Sequence, residues 1–71
     1  MEKILIKTEY IKLDSLLKLS AVAVTGGEAK NIIKDGFVRV NGNICTERGK
    51  KIREGDKVDV GGEIIEVVLE K

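Results

Sequence analysis

The stretch from Thr25 to Gly42 constrains this chain more than any other part of it. Thr25-Gly26-Gly27-Glu28 reads as a capping box: the threonine hydroxyl and the glutamate carboxylate each satisfy a backbone N–H that a helix start leaves free. Ala29, Ile32 and Ile33 then follow the spacing of one apolar helix stripe. Gly36 stands where a left-handed glycine ends a helix, so a helix is predicted from about Gly26 to Asp35. Phe37 to Val40 alternates, and Asn41-Gly42 is the residue pair that a two-residue type I′ hairpin turn favours. Asn43 to Thr46 is then the return strand. A helix that stops at one glycine and feeds at once into a hairpin fits few architectures.

The flanks fill in the rest. Lys3 to Thr8 reads as a first strand and Tyr10 to Lys12 as a connector. Asp14 is the expected N-cap of a first helix. Its buried face is Leu13, Leu16, Leu17, Ser20, Ala21 and Val24, with the Ala21–Val24 end fraying or bending. The short gap to the second helix makes a helix-turn-helix pair. Glu47 to Arg53 is a polar, basic segment, and Glu54-Gly55-Asp56 a turn. Lys57 to Val60 and Glu63 to Leu69 are strands joined by Gly61-Gly62. The fold class is α+β: a helix-turn-helix pair packed on a small antiparallel sheet. Residues 1–71 are expected to form one domain.

Composition narrows the function. The chain has one cysteine and no histidine, so it cannot form an internal disulfide. Zinc sites of the Cys/His kind and histidine-based catalysis are excluded. With one Tyr, one Phe, no Trp and no Pro, the core must come from Ile, Leu, Val and Ala. A chain of this size buries only roughly 60% of its unfolded surface, which leaves little stability for a deep catalytic pocket. Its carboxylates are scattered and mostly follow turns. The expectation is a protein that is not an enzyme and carries no cofactor and no metal. The apolar runs Ile4–Ile6 and Ala21–Val24 are too short for a signal peptide or a membrane span. A cytoplasmic monomer with no membrane partner is expected.

The net charge of +1 hides an asymmetry. Residues 25–53 carry +4 and residues 54–71 carry −4, which points to one face kept positive for an anionic partner. Lys30 and Lys34 lie one helical turn apart, at a small cost in like-charge repulsion. Arg48, Lys50, Lys51 and Arg53 are four cations within six residues, suited to phosphate contacts. Arg39 lies between the two groups. The same residues read alternatively as solvated lysines and a soluble loop. Cys45 is expected to pack as a small apolar residue. Tyr10 and Phe37 could stack on bases, but as lone aromatics they are expected in the core.

The residues Leu13-Asp14-x-Leu16-Leu17-Lys18, Thr25-Gly26-Gly27-Glu28-Ala29-Lys30, Ile33-x-x-Gly36-x-Val38-x-Val40-Asn41-Gly42 and Gly55-Asp56-x-Val58 resemble the S-four RNA-binding domain, or αL motif. The resemblance covers about residues 11–60. The Thr-Gly-Gly-x-Ala-Lys form with a leading strand looks like its small stand-alone YaaA-like branch. It implies RNA binding through the second helix, the hairpin and the following loop, and association with ribosomes or their assembly. Carried over by position, the RNA-binding residues would be Lys30, Lys34, Arg39, Asn41, Arg48, Lys50, Lys51 and Arg53. Many family members have an arginine where Gly26 stands, so the phosphate contact of that arginine is missing here. The expected partner is structured RNA: ribosomal RNA within a ribosomal subunit first, tRNA second. The rival readings are a ubiquitin-like carrier, a DNA-binding helix pair and a protein-interaction module. The first needs a C-terminal Gly-Gly, whereas Gly61-Gly62 is internal. The second needs base-reading side chains where the second helix starts with Gly26-Gly27. The third would use the acidic C-terminal strand.

Overall fold

The computed structural model describes residues 2–70. A first strand, β1 (Glu2–Ile6), leads to a two-residue strand, β2 (Ile11–Lys12), and two helices, α1 (Leu13–Leu19) and α2 (Gly26–Lys34). Five strands follow: β3 (Val38–Val40), β4 (Asn43–Ile44), β5 (Lys51–Ile52), β6 (Lys57–Val60) and β7 (Glu63–Leu69). At the start of α2 the Glu28 N–H donates to the Thr25 hydroxyl at 3.1 Å, half of the expected capping box. The helix closes as a Schellman motif. Gly36 N–H donates to Ile33 O and Phe37 N–H to Ile32 O, with Gly36 at φ 83°.

Helix α1 departs from the sequence expectation at both ends. Its N-cap is Lys12, and Asp14 lies inside the first turn, accepting from the Ser15 N–H. Carbonyls from the distant basic segment do the capping: Leu13 N–H donates to Lys50 O at 2.9 Å and Asp14 N–H to Arg48 O at 3.1 Å. These are two of the donors that a helix start leaves unsatisfied. At the other end the helix stops at Leu19, again in a Schellman pattern: Ala21 N–H donates to Lys18 O and Val22 N–H to Leu17 O. Ala21 therefore takes the left-handed position that glycine usually fills, at φ 65°. The chain turns there, so Ala23 is buried whereas Ala21 and Val24 are exposed. The helical spacing that groups Ala21 and Val24 with the leucines does not extend that far.

The main sheet runs β1-β7-β6-β3-β4. The pairings among β3, β4, β6 and β7 are antiparallel, as expected, while β1 lies parallel to β7. A parallel pair needs a long crossover, and both helices and the other strands lie between β1 and β7. The acidic strand β7 is thus interior to the sheet. Its Glu66 is in register with Lys3 on one side and Lys57 on the other, so opposite charges sit side by side. A separate two-stranded ribbon, β2–β5, pairs Ile11 with Ile52 and Lys12 with Lys51. It converts part of the expected connector and part of the polar segment into strand.

One apolar cluster joins these pieces. Leu13, Leu16 and Leu17 of α1 and Ala29 and Ile33 of α2 pack over Val38, Val58, Ile65 and Val67 of the sheet. Ile52 is fully buried in the same cluster. It is the one apolar side chain between Glu47 and Glu54, and it fastens the basic segment to the core. Cys45 packs at the edge of the cluster. Phe37 lies outside it, 62% exposed, because Val38 and Val40 take the inward positions of β3 and Phe37 precedes the strand.

Candidate nucleic-acid interface

Three anchors fix the position of the basic segment. Its backbone caps α1 through Arg48 and Lys50, its residue Ile52 enters the core, and its strand β5 pairs with β2. The Lys50 N–H closes a local turn on Glu47 O. Four cations on a free loop would spread over many conformers; here their backbone is held before any ligand arrives.

The turn after β5 is held as firmly. Asp56 accepts from the Arg53 N–H at 2.8 Å through one carboxylate oxygen and from the Asn41 carboxamide at 3.1 Å through the other. The Asn41 carboxamide oxygen accepts in turn from the Lys57 N–H at 3.0 Å. Asn41 sits at φ 51° and Gly42 at φ 88°, the left-handed pair of a type I′ turn. The tip of the β3–β4 hairpin is thereby tied to the Arg53–Asp56 turn, and both ends of the Asn41 amide are engaged inside the protein.

Between the hairpin and the basic segment lies a cleft of about 500 Å³. Asn41, Lys50, Lys51 and Arg53 line it, together with Asn43 and Thr46 of the return strand and its continuation. These four of the eight sequence-predicted residues come together. Arg39 does not join them. Its neighbours Val38 and Val40 face the core, so Arg39 lies on the opposite face of the sheet, in register with Asp59. Lys30 and Lys34 are exposed on α2, and Arg48 is exposed beside the cleft without lining it.

Sequence reasoning missed the surroundings of Tyr10. The Lys51 ammonium lies 5.0 Å and the Arg53 guanidinium 5.7 Å from the centre of its ring, within range for cation–π attraction. Arg53 also pairs with Glu9 at 3.2 Å, both side chains being at least half exposed. The signal was present in outline: an aromatic directly before Ile11, and a lone isoleucine two residues after Lys50, mark two short alternating strands. No described group of three or more acidic, Cys or His side chains could hold a metal ion. No helix among the described residues is long and apolar enough to cross a membrane.

Comparison with known proteins places this arrangement. A protein of Bacillus subtilis, named as a probable ribosome maturation protein, RlbA, is 41% identical over 57 residues, 80% of this chain and 80% of its own. YbcJ of Escherichia coli is 36% identical over 62 residues, 87% of this chain and 89% of its own. The solution structure of YbcJ, described as revealing an αL motif involved in RNA binding, superposes with a TM-score of 0.74 at 33% identity, over 96% of this chain and 87% of that one. The ribosomal protein S4e of Thermoplasma acidophilum superposes with a TM-score of 0.62 at 26% identity, covering 82% of this chain and 31% of that larger protein. The sequence pattern of the S4 domain matches residues 4–68, from within β1 to within β7. With the capped helix pair, the glycine-ended α2 and the Asn-Gly hairpin all inside that span, the chain belongs to the S4 domain family.

Proposed function

We propose that this protein is a non-enzymatic RNA-binding domain that docks on structured RNA, ribosomal RNA in the first place, in ribosome association or assembly. The observation that carries the proposal is the anchored basic segment: Lys50, Lys51 and Arg53 line one cleft and are held there by α1, Ile52 and β2. Phosphate contacts would supply most of the affinity, and the fixed shape of the cleft would favour a folded RNA over a flexible strand. Lys30 and Lys34 on α2 and Arg48 beside the cleft are exposed and stand as further candidate contacts, while Arg39 on the far face of the sheet is the weakest candidate of the eight. Asn41 acts by holding the hairpin and turn rather than by reaching the RNA. The descriptions of YbcJ and RlbA support RNA and the ribosome as the context.

Crosslinking in living cells, followed by sequencing of the attached RNA, tests the partner. Ribosomal RNA should dominate the recovered fragments, clustered at one or a few positions. Recovery of tRNA instead would replace the ribosomal partner while keeping the domain's chemistry. Recovery of no RNA above the level of a Lys50→Glu, Lys51→Glu variant would contradict the proposal. A chemically altered RNA after incubation with purified protein, detected by mass spectrometry, would contradict its non-enzymatic part.

A further inference from the structure

The β2–β5 ribbon has two faces of opposite character. Ile11 and Ile52 are in register and turn inward, with Ile52 fully buried. Side chains alternate along a strand and register partners share a face. The other face therefore carries Lys12 opposite Lys51, with Tyr10 and Arg53 one step further along. The short separations of Lys51 and Arg53 from the Tyr10 ring agree with this placement. Two cations, Lys51 and Arg53, thus lie over one half-buried aromatic ring, and a third, Lys12, is directly opposed to Lys51 in the ladder. Like charges placed so are unfavourable in the free protein. Among the described residues, Glu9 pairs with Arg53. A polyanion relieves all three, and once phosphates draw the ammonium and guanidinium groups toward them the ring face is free.

We propose that Tyr10 is a stacking platform for one unpaired nucleobase of the bound RNA, with Lys12, Lys51 and Arg53 taking the phosphates on either side of it. This inference rests on the RNA-binding reading and narrows its substrate: an RNA helix interrupted by a bulged or splayed-out nucleotide, rather than an unbroken duplex. It adds Tyr10 and Lys12 to the site. Single-stranded and bulged bases are the parts of RNA whose faces an aromatic ring can reach. Each base stacked on an aromatic side chain adds about 5- to 150-fold in affinity.

The chain has one tyrosine and no tryptophan, so its intrinsic emission reports on Tyr10 alone. Three RNA hairpins serve as probes: one with a single bulged nucleotide, one fully paired, and one with an abasic bulge. The bulged hairpin should bind at least fivefold more tightly than the other two and should be the one that quenches the tyrosine emission. Tyr10→Leu should lower affinity for the bulged hairpin to that for the paired one, leaving the dependence on salt unchanged. Tyr10→Phe should keep the preference. Equal binding of the three hairpins with unchanged emission would overturn the inference, as would an equal loss on all three in Tyr10→Leu, which would reduce the ring to a prop for its cations. Binding of none of the three by the parent protein would overturn the RNA-binding reading itself and this site with it.

Discussion

Among the described residues, Ala21 and Asn41 are the non-glycine residues at positive φ, and they reach it on different terms. Asn41 has side-chain partners that fix it there, and asparagine tolerates the left-handed region. Ala21 has no such help, and its methyl group costs about 1 kcal/mol in that conformation. Ala21→Gly is therefore expected to stabilise the protein by about 0.5 kcal/mol after the greater freedom of glycine in the unfolded chain is deducted. Thermal unfolding checks this, and a lowered melting temperature would contradict the Schellman ending of α1. Gly42 is the converse case. At φ 88° a β-branched side chain is strained, so Gly42→Val should destabilise by about 1–3 kcal/mol. An unchanged melting temperature would mean that the hairpin does not need its type I′ turn. The hairpin was legible because Asn-Gly carries its conformation in its residue types. Ala21 was not, because nothing about an alanine announces a left-handed bend; that comes from burying Ala23 under the leucines.

The elements that sequence reading recovered are those whose partners lie close along the chain. Helix α2 has its threonine cap and its closing glycine within a few residues, and the β6–β7 hairpin has its Gly61-Gly62 turn, both at positive φ. The β2–β5 ribbon is two residues long on each side and joins segments some forty positions apart, so the local alternation marks two short strands but neither it nor turn chemistry reveals that they pair. The parallel placement of β1 was hidden for the same reason, since it depends on where β7 ends up. The ribbon makes its own prediction. Leu13 and Asp14 belong to the first turn of α1, whose amides normally exchange freely, yet here they donate to Lys50 and Arg48 carbonyls. Hydrogen exchange should find them protected. Ile52→Ala should cost about 2–4 kcal/mol, and should release those two amides before the interior amides of α2. Equal loss of protection in both places would show that the basic segment has no separate anchorage.

At the scale of the molecule, charge sorting is less a matter of sequence halves than the composition implied. The acidic C-terminal strand lies inside the sheet with Glu66 between Lys3 and Lys57, so that carboxylate has cations on both sides, while Lys50, Lys51 and Arg53 gather at the cleft. The site was legible in part for this reason. A cluster contiguous in sequence stays together when its segment is anchored, but Arg39, central in the sequence map, is carried to the opposite face by strand alternation. The central claim is that the anchored basic segment meets RNA phosphates, and binding affinity measured across a range of salt concentrations tests it most directly. With about five phosphate contacts, log K should fall against log salt with a slope of roughly −3.5 to −4.5. Changing Lys50 and Lys51 to Glu should weaken binding to every RNA tested and flatten the slope by about 1.5, with little effect on stability because both side chains are exposed. Glu63→Lys, at the exposed start of β7, should not weaken binding. A double variant that binds as the parent does, with the parent's slope, would contradict the account.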